Sequence, residues 1–417
     1  MEKFSFKLPL ILVVLLVGGC FAFGWSKPVL YENGITSSVT AISDNGNIAI
    51  ASWSYNDSTQ SYEIGVTHKR NGVWRTPFVA SHGTNVYDPK IVMNRKGDIL
   101  LTWHCWGTSG EVDSIKVKEY RNGVWLPNWK IPTSTQANDI GINDSGYALI
   151  AWTDNTGVHI EERINDQWIK SDLVSSIIAT GPAVTVSKNG TAVVAWRYKD
   201  YLGLNQAAAF ASVRESGQWG QPELVSNAMN SSDNLYLRSD DAGNATMAWE
   251  SANSGNFAVY TNEYRDGAWT GMQSHTDFAN SYHFPSLSMS ANGNALLSWR
   301  EYDPNSGYHI FKQQYQNGIW EPPTEVAPGY ISYAKISKNG DSILIWENIA
   351  NNQNQLMRSQ RLNGKWQSPE IVAGSDDLVN DLRPDLGMNN FGDISLVWTQ
   401  SVQGVWNSMR SNYTAKR

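Results

Sequence analysis

Residues 187–196 read SKNGTAVVAW, and versions of this stretch recur from one end of the chain to the other. Each version joins a polar turn with a central glycine to a short apolar run that ends in tryptophan. The eight tryptophans are Trp53, Trp103, Trp152, Trp196, Trp249, Trp299, Trp346 and Trp398, at steps of 44 to 53 residues. A period of this length is typical of a repeat architecture, in which each copy is one supersecondary unit.

Each copy begins as a strand that enters a tight turn. Apolar residues such as Val184 and Val186 precede the glycine with a period of two, which indicates a strand. Glycine allows the positive φ of the turn, and a short polar residue three positions earlier can bond the turn backbone. That polar residue is present in all eight copies, as Ser43, Asn94, Asn143, Ser187, Asp240, Ser290, Ser337 and Asn389. A second strand follows and ends at or just past the tryptophan.

A second tight turn with its own tryptophan completes each repeat. RNGVW at Trp74 and Trp125 and DGAW at Trp269 are examples, and Asn-Gly or Asp-Gly between strands is a strong hairpin signal. A proline often follows this tryptophan at the third position, as Pro77 and Pro222 do. Proline cannot donate to a ladder, so the fourth strand should be the outer edge of its sheet. Four antiparallel strands in a repeat of about 50 residues predict a β-propeller blade.

The two ends of the chain together supply one blade. After Trp398 the chain runs through one more strand near residues 406–413 and stops without a fourth. Residues 24–28, GWSKP, have the spacing of the missing element. The sequence therefore predicts an all-β chain with one β-propeller over residues 24–417. We expect eight four-stranded blades, a ring closed by the N-terminal strand, and a monomer.

Residues 1–23 are expected to be a targeting segment. Lys3 and Lys7 precede an apolar stretch that is too short for a membrane span. It ends in LVGGC, which resembles the lipobox of bacterial lipoproteins and implies lipidation of Cys20. Ordinary cleavage near Ala22, which would discard Cys20, stays open. The expected location is the cell envelope, as an outer-membrane lipoprotein held by its lipid alone, or otherwise secretion.

Composition excludes some classes of partner. The formal net charge is −7 and lysine and arginine form no basic run, which argues against a nucleic-acid partner. Besides Cys20 the chain has only Cys105, and His104 beside it makes no metal motif. We therefore expect no metal and no cofactor.

The connectivity sorts the loops onto two faces. Turns between strands one and two, and three and four, are short and Gly-rich and form what we call the short-turn face. The other connections vary in length and content and form the variable face, where binding residues are expected to collect. Candidate binding residues are those that follow the second-strand tryptophans, with Tyr302 close by: His104, Arg197, Glu250, Arg300, Tyr302 and Glu347. Their alternating charges predict either a charged mouth that selects a ligand or a belt of ion pairs between blades.

The repeats resemble those of bacterial secreted or lipid-anchored β-propellers built from NGNAxxxW-type units. The turn is also distantly similar to the aspartate box of sialidases, whose usual form is S-x-D-x-G-x-T-W. That resemblance would place arginines on a substrate carboxylate and a tyrosine nucleophile beside a glutamate. The residues available for those roles are Arg197, Arg300, Arg383, Tyr302 and Glu250, although the sequence does not show that they converge.

The sequence favours a non-enzymatic envelope lipoprotein that binds a protein or glycan partner through the variable face. A sialidase-type glycoside hydrolase is the alternative, and no catalytic residue is assigned. A second alternative is an envelope-assembly scaffold, similar to the eight-bladed lipoprotein of the barrel-assembly machinery.

Overall fold

Eight antiparallel sheets stand around a central axis, and each innermost strand contacts those of the two neighbouring blades. The computed structural model describes residues 24–33, 35–83, 85–107, 113–133, 138–175, 179–201, 206–226, 231–253, 256–277, 283–350, 353–374, 384–402 and 405–416. Within these ranges the regular structure is all β, and no helix is long and apolar enough to cross a membrane. The prediction of an eight-bladed propeller is confirmed.

Seven blades run outward from the axis in chain order, and the eighth takes its outer strand from the N-terminal segment. The innermost first strands are Ile35–Ile42, Val86–Met93, Asn138–Ile142, Ala179–Val186, Ser231–Ser239, Ser286–Met289, Ser332–Ile336 and Asp385–Met388. The second strands are Ile48–Asn56, Ile99–Cys105, Ala148–Asp154, Ala192–Tyr201, Ala245–Asn253, Ala295–Asp303, Ser342–Ala350 and Ile394–Val402. The third strands are Ser61–Arg70, Ser114–Arg121, Gly157–Ile164, Gln206–Glu215, Asn256–Arg265, Gly307–Gln316, Gln353–Leu362 and Val405–Thr414.

The fourth strand is the outer edge, as expected, but in six blades it is broken in two. The broken strands are Val73–Trp74 with Phe78–Gly83, Val124–Trp125 with Trp129–Pro132, Gln218–Trp219 with Glu223–Leu224, Ile319–Trp320 with Thr324–Pro328, Lys365–Trp366 with Glu370–Gly374, and Gly24–Trp25 with Val29–Asn33. The continuous ones are Gln167–Ser175 and Ala268–Ser274, in blades 3 and 5. These are the two blades without a proline shortly after the tryptophan. In the other six the proline lacks the N–H that the ladder needs, so the fourth strand is interrupted there.

The N-terminal segment closes the ring, which confirms that prediction. Gly24 pairs with Thr414 and Val29 with Arg410, so both pieces of the segment lie on the last strand of the chain. Trp25 anchors the seam, since its indole Nε1 donates to Oε1 of Gln360 at 2.7 Å in the preceding blade.

The core consists of the repeated tryptophans and the apolar residues beside them. Seven of the second-strand tryptophans are almost completely buried, namely Trp103, Trp152, Trp196, Trp249, Trp299, Trp346 and Trp398. Several of them pack within clusters that draw side chains from two neighbouring blades. They therefore hold blades together, as expected from their fixed places in the repeat.

The polar residue of the short turn has two structural tasks. Oδ1 of Asn94 accepts two N–H groups of its own turn at 2.9 and 3.0 Å, as predicted. Its Nδ2 donates to the carbonyl of Asn143 in the next blade, and Asn143 donates in the same way to Ser187. Asn389 repeats the contact with Ser43 across the seam at 2.9 Å. A turn signal of the sequence is thus also a link between blades.

Candidate functional site

The predicted binding residues lie at the variable-face ends of the second strands, at very different depths. His104 and Glu250 are only 1% and 4% exposed, and Arg300 is also buried. Arg197 and Glu347 are partly buried, whereas Tyr302 is 51% exposed. Most of this set therefore points into the protein, and only Tyr302 presents a large surface to solvent.

Glu250 binds backbone of the next blade. Its Oε2 accepts the N–H groups of His283 and Phe284, each at 3.1 Å. These two residues precede the first strand of blade 6, so the carboxylate of blade 5 holds the entry loop of its neighbour. A buried carboxylate needs such donors because it has lost its hydration.

Arg300 lies beneath three aromatic rings. Its guanidinium carbon is 4.1 Å from the ring centroid of Tyr308, 4.4 Å from Phe284 and 5.7 Å from Tyr330. Its Nη1 donates to the carbonyl of Tyr330 at 3.3 Å. Burial lowers the pKa of Arg300 from its ordinary value, with nearby Tyr308 and Glu250 acting in the opposite direction. The guanidinium thus joins blades 6 and 7 and supports the rings that cover it.

Together with Tyr302, these three rings form what we call the blade 6 aromatic patch, which is made of Phe284, Tyr302, Tyr308 and Tyr330. Tyr308 is central, with ring centroids 5.0 Å from both Tyr302 and Tyr330. Phe284 and Tyr330 are 36% and 40% exposed. The patch therefore offers three accessible rings on the variable face, with Tyr302 and Tyr330 against Tyr308 and with Phe284 against Arg300.

Two backbone features shape the patch. Phe284 has a φ of 47°, a conformation that costs a non-glycine residue about 1–3 kcal/mol and is often found at ligand-binding sites. Gly329 precedes Tyr330, and a Cβ there would lie 2.4 Å from the Trp346 ring. The patch is thus held by contacts that a larger residue at 329 would disrupt.

The other predicted residues do not join this patch. Arg197 donates from Nε to Oγ1 of Thr180 at 3.1 Å in its own blade. His104 stacks on Tyr87 in blade 2, with ring centroids 5.4 Å apart. Glu347 reaches the patch through its backbone, whose carbonyl accepts the N–H of Tyr330 at 2.8 Å. The structure therefore brings together Glu250, Arg300 and Tyr302, and leaves His104 and Arg197 in other blades. Arg383 and Cys20 lie outside the described residues.

Sequence analysis missed a group of charged residues along the axis. They belong to the first strands, in the positions between the apolar ones, five or seven residues before the turn glycine: Lys90, Asp139, Arg238, Lys335 and Asp385. They line a cavity of about 440 Å³ in the central channel. The signal in the sequence that could have found them is a charged residue at a first-strand position where other blades have an apolar or small residue. Among the described residues, no group of three or more His, Cys, Asp or Glu side chains could hold a metal ion.

Comparison with known proteins identifies the fold. No family model and no curated protein matches the chain. The solved structure of the Dos1 propeller is similar over 92% of this chain and 95% of its own, at 12% identity and a TM-score of 0.54.

Two other solved structures are more distant. A protein of unknown function from Dyadobacter fermentans covers 94% of this chain and 100% of its own, at 12% identity and a TM-score of 0.44. The intramolecular trans-sialidase from Ruminococcus gnavus covers 90% of this chain and 94% of its own, at 11% identity and a TM-score of 0.39. Structural neighbours thus include sialidases, but what the comparisons establish for this chain is the β-propeller fold alone.

Proposed function

We propose that this chain is a non-enzymatic propeller of the cell envelope that binds a glycan at the blade 6 aromatic patch. The observation that carries the proposal is the set of three accessible rings that pack on buried Arg300 or on the central ring of Tyr308. Tyrosine combines an apolar ring with a polar hydroxyl and fits the alternating C–H faces and hydroxyl groups of a sugar.

The size of the patch favours a small ligand over a protein surface. If each aromatic side chain offers about 200 Å², the exposed parts of Phe284, Tyr302 and Tyr330 come to about 250 Å². A stable protein interface covers about 800 Å² on each partner. One or two stacked sugar rings match the smaller area.

The loop beside the patch supplies polar groups for such a ligand. Asp303 Oδ1 accepts the N–H groups of Asn305 and Ser306 at 2.7 and 3.0 Å, which orders the turn next to Tyr302. These backbone bonds hold the pKa of the exposed Asp303 below its ordinary value. An ordered, charged acceptor beside an aromatic ring is a suitable partner for sugar hydroxyls.

The sialidase alternative has weaker support in the contacts of the same residues. Arg300 is covered by rings and Glu250 is occupied by two backbone N–H groups, so neither is presented as an open substrate ligand. Tyr302 contacts Tyr308 as its aromatic neighbour. We therefore keep hydrolysis as an outcome to be tested and propose binding.

A glycan array probed with residues 24–417 tests the proposal, together with Tyr302→Ala and Tyr330→Ala. Binding to specific glycans is expected, with a loss of at least tenfold in affinity in each variant. Tyr55→Ala is the matched control, because Tyr55 is a 38% exposed tyrosine at the same end of the blade 1 second strand and also packs on a tyrosine. This control should bind as the parent does.

Three outcomes would overturn the proposal. One is that the protein binds no glycan on the array specifically. Another is equal loss in the control and the patch variants, and the third is release of sialic acid from a generic substrate that Tyr302→Phe abolishes. Thermal unfolding of each variant shows that a loss of binding does not come from misfolding.

A further inference from the structure

The central channel contains a cavity that the proposed glycan site does not use. Its volume is about 440 Å³, and its wall comes from the first strands of blades 1, 2, 3, 4, 5, 7 and 8. A water molecule occupies about 30 Å³ of liquid volume, so the cavity has room for a small molecule together with several waters.

Three of the five charged side chains in its wall serve the structure. Asp139 Oδ2 accepts the N–H of Val184 at 2.8 Å, and Asp385 Oδ2 accepts that of Thr40 at 2.6 Å. Lys90 donates its ammonium group to the carbonyl of residue 138. Each of these contacts joins one blade to the next. In each, the backbone dipole helps to balance the charge of the side chain.

Lys335 and Arg238 lack comparable partners among the described residues. The side chain of Lys335 makes no hydrogen bond or ion pair with any of them, and the side chain of Arg238 uses only Nη1, which donates to the carbonyl of Leu237 at 2.7 Å. Burial, followed by the charge of Arg238, lowers the pKa of Lys335 to about 8, with Asp385 opposing. Both side chains are partly exposed to the channel. At neutral pH these two cations share one cavity without a described carboxylate bound to either, and an anion between them would offset their repulsion.

The short-turn end of the channel has a cation whose charge is already balanced. Arg95 in blade 2 is paired with Asp144 of blade 3 at 2.6 Å and with Asp241 of blade 5 at 2.9 Å. Its side chain lies across this end of the channel, from blade 2 to the turn of blade 5. Arg95 therefore does not compete with Lys335 and Arg238 for an anion inside the channel.

We infer that the central channel binds a small oxyanion, with Lys335 and Arg238 as its cationic ligands. A guanidinium offers a fork of N–H donors that fits carboxylate or phosphate oxygens, and an ammonium adds a compact point charge. Phosphate and carboxylate share this chemistry, and the experiment below separates them. The inference stands independently of the glycan site, because none of its residues belongs to the aromatic patch.

The inference is tested by titrating residues 24–417 with inorganic phosphate and with acetate at pH 7. Binding is measured by calorimetry and by thermal unfolding. Sodium chloride at equal ionic strength corrects for general salt effects. At least one oxyanion should bind saturably with one site per chain, and the stronger one identifies the class. Lys335→Met should weaken that binding at least tenfold, and so should Arg238→Met.

Lys365→Met is the matched control, because Lys365 is exposed on the outer hairpin of the same blade. It should bind the oxyanion as the parent does. Without oxyanion, Lys335→Met should melt at or above the parent temperature, since it removes an unpaired charge from the channel. Absence of saturable binding by both probes would overturn the inference. Equal binding by the parent and both channel variants would do the same.

Discussion

At the scale of single residues, the fourth-strand tryptophans of blades 3, 6 and 8 each donate to a defined partner in the preceding blade. The partner lies on the third strand, six positions before that blade's own fourth-strand tryptophan. Trp168 donates to Glu119 at 2.8 Å, and Trp320 donates to Glu263 at 2.9 Å. Trp25 does the same to Gln360 at the ring seam. In these three blades the indole bond gives the acidic or amide side chain at this position a structural task.

Replacing Gln360 by valine tests the value of this bond. Gln360→Val leaves the Trp25 indole N–H without its acceptor, which should lower the free energy of unfolding by about 1–3 kcal/mol. Urea denaturation measures the change. Gln314→Val is the control, because Gln314 holds the equivalent position in blade 6 but accepts no bond from Trp366. A smaller loss is expected there, and equal losses would show that the indole bond adds nothing.

At the scale of elements, the N-terminal segment should contribute strongly to stability. A chain that begins at residue 34 lacks Gly24–Trp25 and Val29–Asn33, and so exposes the whole edge of Val405–Thr414. Lost ladder bonds and the lost Trp25 anchor should lower the free energy of unfolding by roughly 3–5 kcal/mol.

Thermal unfolding of the shortened chain measures this loss, with residues 24–417 as the reference. A synthetic peptide of residues 24–33 should restore part of the lost stability by adding the missing strand in trans. If the two chains melt at the same temperature, the seam does not hold the ring.

Two buried histidines should make the fold sensitive to acid. Burial lowers the pKa of His68 and of His283 to about 4, with Arg70 adding to the effect on His68 and Arg300 on His283. Both are then neutral in the folded state, while the unfolded chain takes up protons below about pH 6.5. The contribution of these two histidines to the free energy of unfolding is therefore fully present above that pH and is lost as the pH falls toward 4.

His68→Phe should reduce this loss while keeping a ring against Tyr120, which His68 contacts at 4.8 Å between centroids. The measurement is the melting temperature of parent and variant from pH 7 to pH 4. The difference between them should shift in favour of the variant as the pH falls. Parallel curves would contradict the assignment, because carboxylate titration affects both proteins alike.

The elements of the fold were predictable because they repeat. Turn glycines, second-strand tryptophans and the NGxW hairpins give strand order, blade number and the N-terminal closure, since each signal is local and occurs many times. The break in the fourth strand was not predicted, although Pro77 and Pro222 already mark it. In those blades the ladder cannot continue past the proline. The break could therefore have been predicted from the local sequence alone.

The candidate site was predicted only in part because its contacts are not local. Arg300 and Tyr302 stand at the expected face, but the rings around Arg300 come from residues 284, 308 and 330, in three separate segments. Lys335 and Arg238 likewise line one cavity only because blades 5 and 7 belong to the same ring. The burial of Glu250 involves the entry loop of the neighbouring blade, which no repeat pattern describes.

At the scale of the whole molecule, the expected lipid anchor lies outside the described residues and remains a prediction. Cys20→Ala should abolish labelling by a lipid precursor and release the protein from the membrane fraction. Cys105→Ala is the control, because Cys105 is the other cysteine of the chain and belongs to the propeller. Unchanged membrane retention of Cys20→Ala, or a mature N-terminus at residue 23, would contradict lipidation.

An anchor at Cys20 would also orient the propeller. Gly24–Trp25 begins at the short-turn face, and at most about 17 Å of extended chain separates Cys20 from Trp25. The short-turn face should then lie against the membrane, with the blade 6 aromatic patch directed away from it.

A pair of cysteine substitutions in one blade measures this orientation. Asn305→Cys is on the variable face and Asn317→Cys on the short-turn face, both in a Cys105→Ala background. An impermeant maleimide should label Asn305→Cys faster on the membrane-bound protein, and both equally after detergent release. Faster labelling of Asn317→Cys would reverse the orientation.

The seam between the two ends of the chain also determines when the ring can be completed. The backbone N–H of Asn412 donates to Ser26 across a sequence separation of 386 residues, so the closing strand pairs with a strand that is synthesised much later. At a synthesis rate of about 5–20 residues per second, the early strand waits about 20–80 s for its partner. A chain that ends prematurely never acquires that partner and keeps an open edge at its N-terminal end. The closing strand therefore distinguishes finished molecules from truncated ones, and proteolysis can act on that difference.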